Sequence, residues 1–258
     1  MRAFHAGRIE LMRTALQAAL DKGELFALYQ PQLSVDGLRV VSAEALLRWS
    51  RPGMGTIGPD DFVPFAEDNE LIDALGSFML ERACETAARW GDLPVSINVS
   101  PLQFARVDLA AYILEIAAQA GLPPARLELE ITETAPFADI AAVRATLSEL
   151  RAQGVHVSLD DLGTGHATTR LMRDLPLDRV KLGKSMADDA MTEMGAEHVA
   201  QLIRQALDLG LAVTAEGVET EAQLAFMRSC GCDRIQGYIF ARPMSGAEIS
   251  AFARQFAG

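Results

Sequence analysis

The side chains best suited to chemistry in this chain are carboxylates that recur in company with two amides and one lysine: Glu44, Asn98, Glu130, Glu133, Asp160, Asp161, Lys181, Glu216 and Gln236. Asp160 and Asp161 are adjacent in the stretch VHVSLDDLGTG, Val155 to Gly165. Neighbouring carboxylates repel unless a cation or a shared proton relieves them, which makes the pair a metal-site candidate. Taken alone, such a pair is more often a solvated turn or a helix cap. Oxygen ligands without His or Cys select a hard divalent ion such as magnesium or manganese. Lys181 stands between Val180 and Leu182, where an unpaired ammonium is unfavourable, so it is expected to face the acids. The scattered His5, His156, His166 and His198 are expected to be surface or structural residues, and Met54, Met79 and Met172 to fill core.

The elements that must position these groups follow from hydrophobic period. Val155, Val157 and Leu159 alternate with His156 and Ser158 as in a strand, and Gly163 and Gly165 break the pattern. Phe26 to Leu33 and Leu38 to Trp49 are strand-like and joined by Ser34 to Gly37, whose Asp-Gly pair predicts a hairpin and hence an antiparallel opening. Further strands are expected at Val95 to Val99, Leu127 to Ile131, Arg179 to Leu182, Ala212 to Ala215 and Arg234 to Tyr238. Helices are expected at Leu75 to Trp90, Val107 to Ala120, Ile140 to Gln153, His166 to Asp174, Glu197 to Leu209, Glu221 to Ser229 and from Ala247.

Eight strands mostly alternating with helices in 258 residues predict an α/β fold, a modified TIM-type (β/α)8 barrel with an antiparallel opening strand. No linker or composition shift divides the chain, so residues 1–258 are expected to form a single domain. The amphipathic helix over residues 1–22 is a natural junction to an upstream domain in a longer protein. In such barrels function gathers at the C-terminal ends of the strands, where almost every strand here carries an acid or an amide. Each has an ordinary explanation alone: Asn98 as a cap, Glu130 as an exposed strand residue, Glu216 as a solvated loop acid. Together they converge, and convergent charges in a barrel mouth require compensating cations.

A formal charge of −12 without a long basic run argues against nucleic acid polymers and anionic lipid as partners. Cys84, Cys230 and Cys232 are odd in number and lack CxxC spacing, which points to reduced thiols, no zinc site and a cytoplasmic location. No apolar run is long enough to insert in a membrane.

Glu44-Ala45-Leu46-Leu47-Arg48-Trp49 resembles the signature of the EAL domain, the cyclic di-GMP phosphodiesterase family. Further motifs follow in family order: Tyr29-Gln30-Pro31, Asn98-Val99-Ser100, Glu130-Ile131-Thr132-Glu133-Thr134, Asp160-Asp161 with Gly163-Thr164-Gly165, Lys181, Ala215-Glu216-Gly217-Val218-Glu219 and Gln236-Gly237-Tyr238. The resemblance covers nearly the whole chain. It implies hydrolysis of cyclic di-GMP to linear 5'-pGpG with two divalent cations, Mg or Mn, in bacterial signalling. Metal ligands are implied at Glu44, Asn98, Glu130, Asp160 and Asp161, with Glu216 as a further ligand or proton acceptor. Lys181 is implied to hold the attacking water, and Glu133 to anchor the loop after the aspartates. Gln30, Leu46, Arg48 and Gln236 match positions that contact the dinucleotide. A homodimer is among the assemblies implied. The chain departs from the family at Leu162, at His166-Ala167-Thr168 and at Gly183, where the family commonly has an aspartate. Those departures keep open an alternative, a catalytically inactive cyclic di-GMP receptor.

Overall fold

The computed structural model describes residues 2–132, 137, 139–162 and 168–256. Helix α1 (Arg2–Lys22) leads into strands β1 (Leu25–Ser34), β2 (Val40–Arg51) and β3 (Gly55–Ile57), then helices α2 (Val63–Asp68) and α3 (Ile72–Ala87). Alternation follows through β4 (Val95–Val99), α4 (Leu109–Ala120), β5 (Leu127–Thr132), α5 (Ile140–Ala152), β6 (His156–Leu162) and α6 (Thr168–Asp174). The chain continues with β7 (Arg179–Leu182), α7 (Lys184–Asp189), α8 (Glu193–Asp208), β8 (Ala212–Ala215), α9 (Glu221–Cys230), β9 (Arg234–Ile235) and α10 (Gly246–Arg254).

The sheet runs β1-β9-β8-β7-β6-β5-β4-β2-β3, and the additional β1–β2 pairing closes eight of these strands into a barrel with β3 outside the ring. β1 is antiparallel to both its neighbours, while the remaining ring pairs are parallel. The Asp-Gly hairpin explains the reversal. Gly37 takes φ +73°, its N–H donates to the Ser34 carbonyl at 2.7 Å, and Ser34 Oγ bonds the Asp36 carboxylate at 2.5 Å.

Several expected boundaries move. The α3 helix starts and ends three residues early, α8 begins four residues earlier at Glu193 than its apolar face suggests, and the last strand stops at Ile235. Thr192 sets the α8 start, its hydroxyl accepting from the Gly195 amide. The short β3 and α7 carry too few residues to show a period. Met79 and Met172 are buried as expected, but Met54 is 65% exposed because it lies in the tight connection between β2 and β3.

Across β5 to β8 the large apolar residues mostly face the helices and the polar ones mostly face the lumen. Leu129, Ile131, Val157, Leu159, Val180, Leu182 and Val213 form part of the buried layer outside. Inside lie Glu128, Glu130, Ser158, Asp160, Arg179, Lys181 and Thr214, all buried. This interior differs from the branched aliphatic filling usual in eight-stranded α/β barrels. Its floor is ionic: Arg179 makes a bidentate pair with Asp233 at 2.7 and 3.0 Å and lies 3.7 Å from Glu128, which also pairs with Arg234 at 2.9 Å.

Two of the cysteines belong to the outer packing. Burial pushes the Cys84 and Cys232 thiols up to about 12, whereas Cys230 is half-buried. The thiolate is the nucleophile. Titration with a thiol reagent at pH 8 is therefore expected to label Cys230 rapidly and the other two after denaturation. Three equal rates in the native protein would contradict this packing.

Candidate functional site

Register brings the expected acids to one level of the lumen. Glu44 on β2 lies opposite Gln30 on β1, Asn98 on β4 beside Glu130 on β5, and Asp160 on β6 beside Thr132. Lys181 is on β7, and Glu216 directly follows β8, where its amide donates to the Leu182 carbonyl at 2.9 Å. Glu44, Glu130 and Lys181 stand within their strands, not at the ends, so the site lies deeper in the barrel than strand-end reasoning placed it.

Lys181 is the centre of this cluster and is fully buried. Its Nζ lies 2.5 Å from Glu216, 2.6 Å from Glu130, 3.4 Å from Asp160 and 3.6 Å from Glu44. Glu44 further accepts from Asn98 Nδ2 at 2.8 Å and Gln236 Nε2 at 2.5 Å. One carboxylate oxygen each of Glu44, Glu130 and Asp160 lies within 4.8 Å of the others, a buried triad able to hold a metal ion. Glu130 Oε1 is buried without a hydrogen-bond partner, as a ligand atom awaiting a hard cation would be. The oxygen-only donor set fits such an ion.

Charge in this space is unbalanced, with four carboxylates about one ammonium. Burial works against the Lys181 charge, but the surrounding acids prevail and raise its pKa well above the usual range. Burial and the neighbouring Glu44 charge raise Glu130 strongly, and burial raises Glu216 strongly against the pull of Lys181. Burial likewise brings Asp160 to about 6 and raises Asp161. Glu44 moves the other way: burial opposes its charge, yet Lys181 and the Gln236 and Asn98 hydrogen bonds hold its pKa down.

The folded chain therefore holds the Asp160 proton more tightly than the unfolded chain, whose value is 3.8. With more protons bound in the folded state, stability falls as pH rises from 3.8 through about 6. The metal-free protein is expected to melt at a lower temperature at pH 7 than at pH 5 in EDTA. Divalent-ion binding at pH 6 is expected to release protons, seen as calorimetric heats that differ between buffers of different ionisation enthalpy. Equal heats would contradict the protonated acid cluster.

Asp161 breaks the strand's alternation. Its φ of +57° lies in the left-handed region, at an irregularity of the β6–β7 register between Leu159 and Leu162. A strict period of two would send its side chain away from that of Asp160. Instead Oδ1 of Asp161 lies 2.9 Å from where a side chain at Gly183 would begin, so the small residue after Leu182 accommodates it. Glu133 lies outside the described residues, as do Gly163 to Ala167.

Of the expected dinucleotide contacts, Gln30 and Gln236 are buried and Leu46 and Arg48 half-buried. Arg48 Nη1 donates to the Leu47 carbonyl at 2.8 Å. Sequence reasoning missed the charges beneath the site, Glu128, Arg179 and Arg234, and the buried Gln32. Their signal was the period-two partnership of Glu128 with Glu130, Arg179 with Lys181 and Gln32 with Gln30.

Comparison with known proteins accords with this geometry. Residues 13–243 match the EAL domain family profile. The chain is 39% identical over 241 residues to an uncharacterized signaling protein of Caulobacter vibrioides, covering 92% of this chain and 29% of that protein. It is 38% identical over 251 residues to the cyclic di-GMP phosphodiesterase NbdA of Pseudomonas aeruginosa, covering 95% of this chain and 32% of the relative. The chain thus spans about a third of the length of these two relatives. Among solved structures, the PaMucR phosphodiesterase in complex with c-di-GMP superposes with a TM-score of 0.86 at 33% identity, covering 93% of this chain and 99% of that one. With an eight-stranded barrel reversed at its first strand, the acids gathered round Lys181 and a family match over most of its length, the chain belongs to the EAL domain family.

Proposed function

We propose that this site hydrolyses cyclic di-GMP to linear 5'-pGpG, with two divalent cations, Mg or Mn, as cofactors. The observation that carries the reading is the buried Glu44, Glu130 and Asp160 triad packed against Lys181. The named activity of NbdA and the ligand of the PaMucR complex support the choice of substrate.

Glu44, Asn98, Glu130, Asp160 and Asp161 would hold the ions, with Glu216 beside them as a further ligand or as proton acceptor. Bound there, the ions supply Lewis acidity that activates water and offsets charge on the phosphoryl oxygens. A phosphodiester repels an anionic nucleophile, so an acidic pocket needs that positive charge. Lys181 orients the attacking water, and Glu216 accepts its proton. The water oxygen joins phosphorus, one ring-closing P–O bond opens, and the departing oxygen takes up a proton. Gln30, Leu46, Arg48 and Gln236 position the dinucleotide, Arg48 through its guanidinium on phosphate. Glu133 anchors the loop that follows the aspartates.

Incubation with cyclic di-GMP and magnesium or manganese, followed by chromatography, is expected to yield 5'-pGpG, and EDTA to stop its formation. Binding of cyclic di-GMP without product in either metal would replace this reading with that of a receptor.

A further inference from the structure

Beneath the acids a line of hydrogen bonds runs from the barrel floor to Glu44. Arg234 Nη1 donates to Gln32 Oε1 at 3.4 Å, Gln32 Nε2 donates to Gln236 Oε1 at 2.9 Å, and Gln236 Nε2 donates to Glu44 Oε2 at 2.5 Å. Gln32 is 1% exposed, and Gln236 and Glu44 are each 5% exposed, so their polar atoms must be matched within the protein.

The ends of this line give it a direction. A guanidinium only donates and an ionised carboxylate only accepts, whereas a carboxamide does both. Only one orientation of the two amides serves both ends. Turning Gln236 would set its oxygen against Glu44, and turning Gln32 would set its nitrogen against the Arg234 guanidinium. Arg234 is itself held by the buried Glu128 at 2.9 Å. The antiparallel opening strand places the link: Gln30 lies opposite Glu44 and Gln32 opposite Ser42, so Gln32 is one lumen-facing step nearer the floor.

We propose that Gln32 is a positioning residue for Glu44, fixing the Gln236 amide with its nitrogen toward that carboxylate and so holding Glu44 in the orientation that binds metal. This rests on the metal-dependent reading given above. Gln32 lies below the acids, and its effect on the reaction passes through Gln236.

Two substitutions test it. Gln32→Leu keeps much of the volume and removes both bonds. Gln32→Glu keeps the shape and adds an ion pair to Arg234, but its two acceptors draw the Gln236 nitrogen away from Glu44. Mn2+ affinity is measured by electron paramagnetic resonance of the free ion, folding by circular dichroism melting in EDTA, and kcat and KM with cyclic di-GMP. Both variants are expected to bind Mn2+ about tenfold or more weakly, as loss of a partner behind a metal ligand does. Turnover at saturating substrate is expected to fall by a similar factor, while Gln32→Glu folds like the wild type.

Wild-type Mn2+ affinity in a folded Gln32→Glu variant would overturn the proposal, as would failure of both variants to fold, which marks a purely structural residue. If Gln32→Leu alone fails to fold, Gln32→Glu decides. A wild-type protein that binds Mn2+ but leaves cyclic di-GMP intact overturns the enzymatic reading, with the positioning role still judged on Mn2+ affinity. A wild-type protein that binds no Mn2+ overturns both.

Discussion

Asp160→Asn is expected to abolish measurable turnover of cyclic di-GMP while making the metal-free protein more stable. Asp160 is one of the carboxylates gathered about Lys181, and its oxygen is part of the triad with Glu44 and Glu130. A metal ion contributes several kcal/mol to transition-state charge stabilisation, so forfeiting ~4 kcal/mol by loss of a ligand corresponds to about a thousandfold in rate. The stability change has the opposite sign because the acids outnumber the ammonium. Burial raises Asp160 to about 6, so holding it ionised at pH 7 opposes folding. A departure of about two pKa units corresponds to on the order of 2 to 3 kcal/mol, which a neutral amide relieves. Asparagine also retains an oxygen for the Asp161 amide, which donates to Asp160 Oδ1 at 2.9 Å. Chromatographic assay of 5'-pGpG and thermal melting in EDTA at pH 7 measure both effects. An active variant would remove Asp160 from the ligand set, and a less stable one would contradict the charge imbalance.

Arg179→Ala is expected to produce a marked loss of stability. Arg179 is 8% exposed and joins Asp233, Thr214 and Glu128 on the barrel floor. Removing Arg179 takes a partner from the buried Glu128 and the buried Thr214 hydroxyl, while the half-exposed Asp233 falls back on water, at a cost of about 2 to 3 kcal/mol. Glu128 keeps Arg234, but Asp233 loses its bidentate partner and Thr214 its hydrogen bond. For a chain of this size the loss corresponds to a fall of roughly 10 °C in melting temperature. Urea unfolding monitored by circular dichroism tests it. A loss below ~1 kcal/mol, the range of an exposed pair, would show that the floor is more solvated than its burial indicates.

The parts legible in the sequence were those carried by local period and by residue type. Alternation over Leu127 to Ile131 and Ala212 to Ala215 marked strands at nearly their observed bounds, and Asp36-Gly37 announced the reversed opening. The carboxylates could be named because acids and amides recur at successive strands in the order of the family motifs. Their depth could not: whether Glu130 sits at a rim or inside the barrel depends on strand tilt and register, which pair it with Asn98 and Ser158 far away in the chain. The floor charges were hidden for a related reason. Arg179 and Glu128 look like solvent-facing strand residues until the closed sheet turns that face inward.

Asp160-Asp161 shows the same division. The sequence by itself determined that two acids stand where an apolar strand gives way to glycines, because chain chemistry and a period of two are local properties. Only the tertiary structure decided where each acid sits. Closure of the barrel put Asp160 within 3.4 Å of Lys181, and the left-handed backbone at Asp161, given room by Gly183, turned the second acid out of simple alternation. The physical reason is that charge becomes costly, and therefore specific, when remote strands exclude water around it.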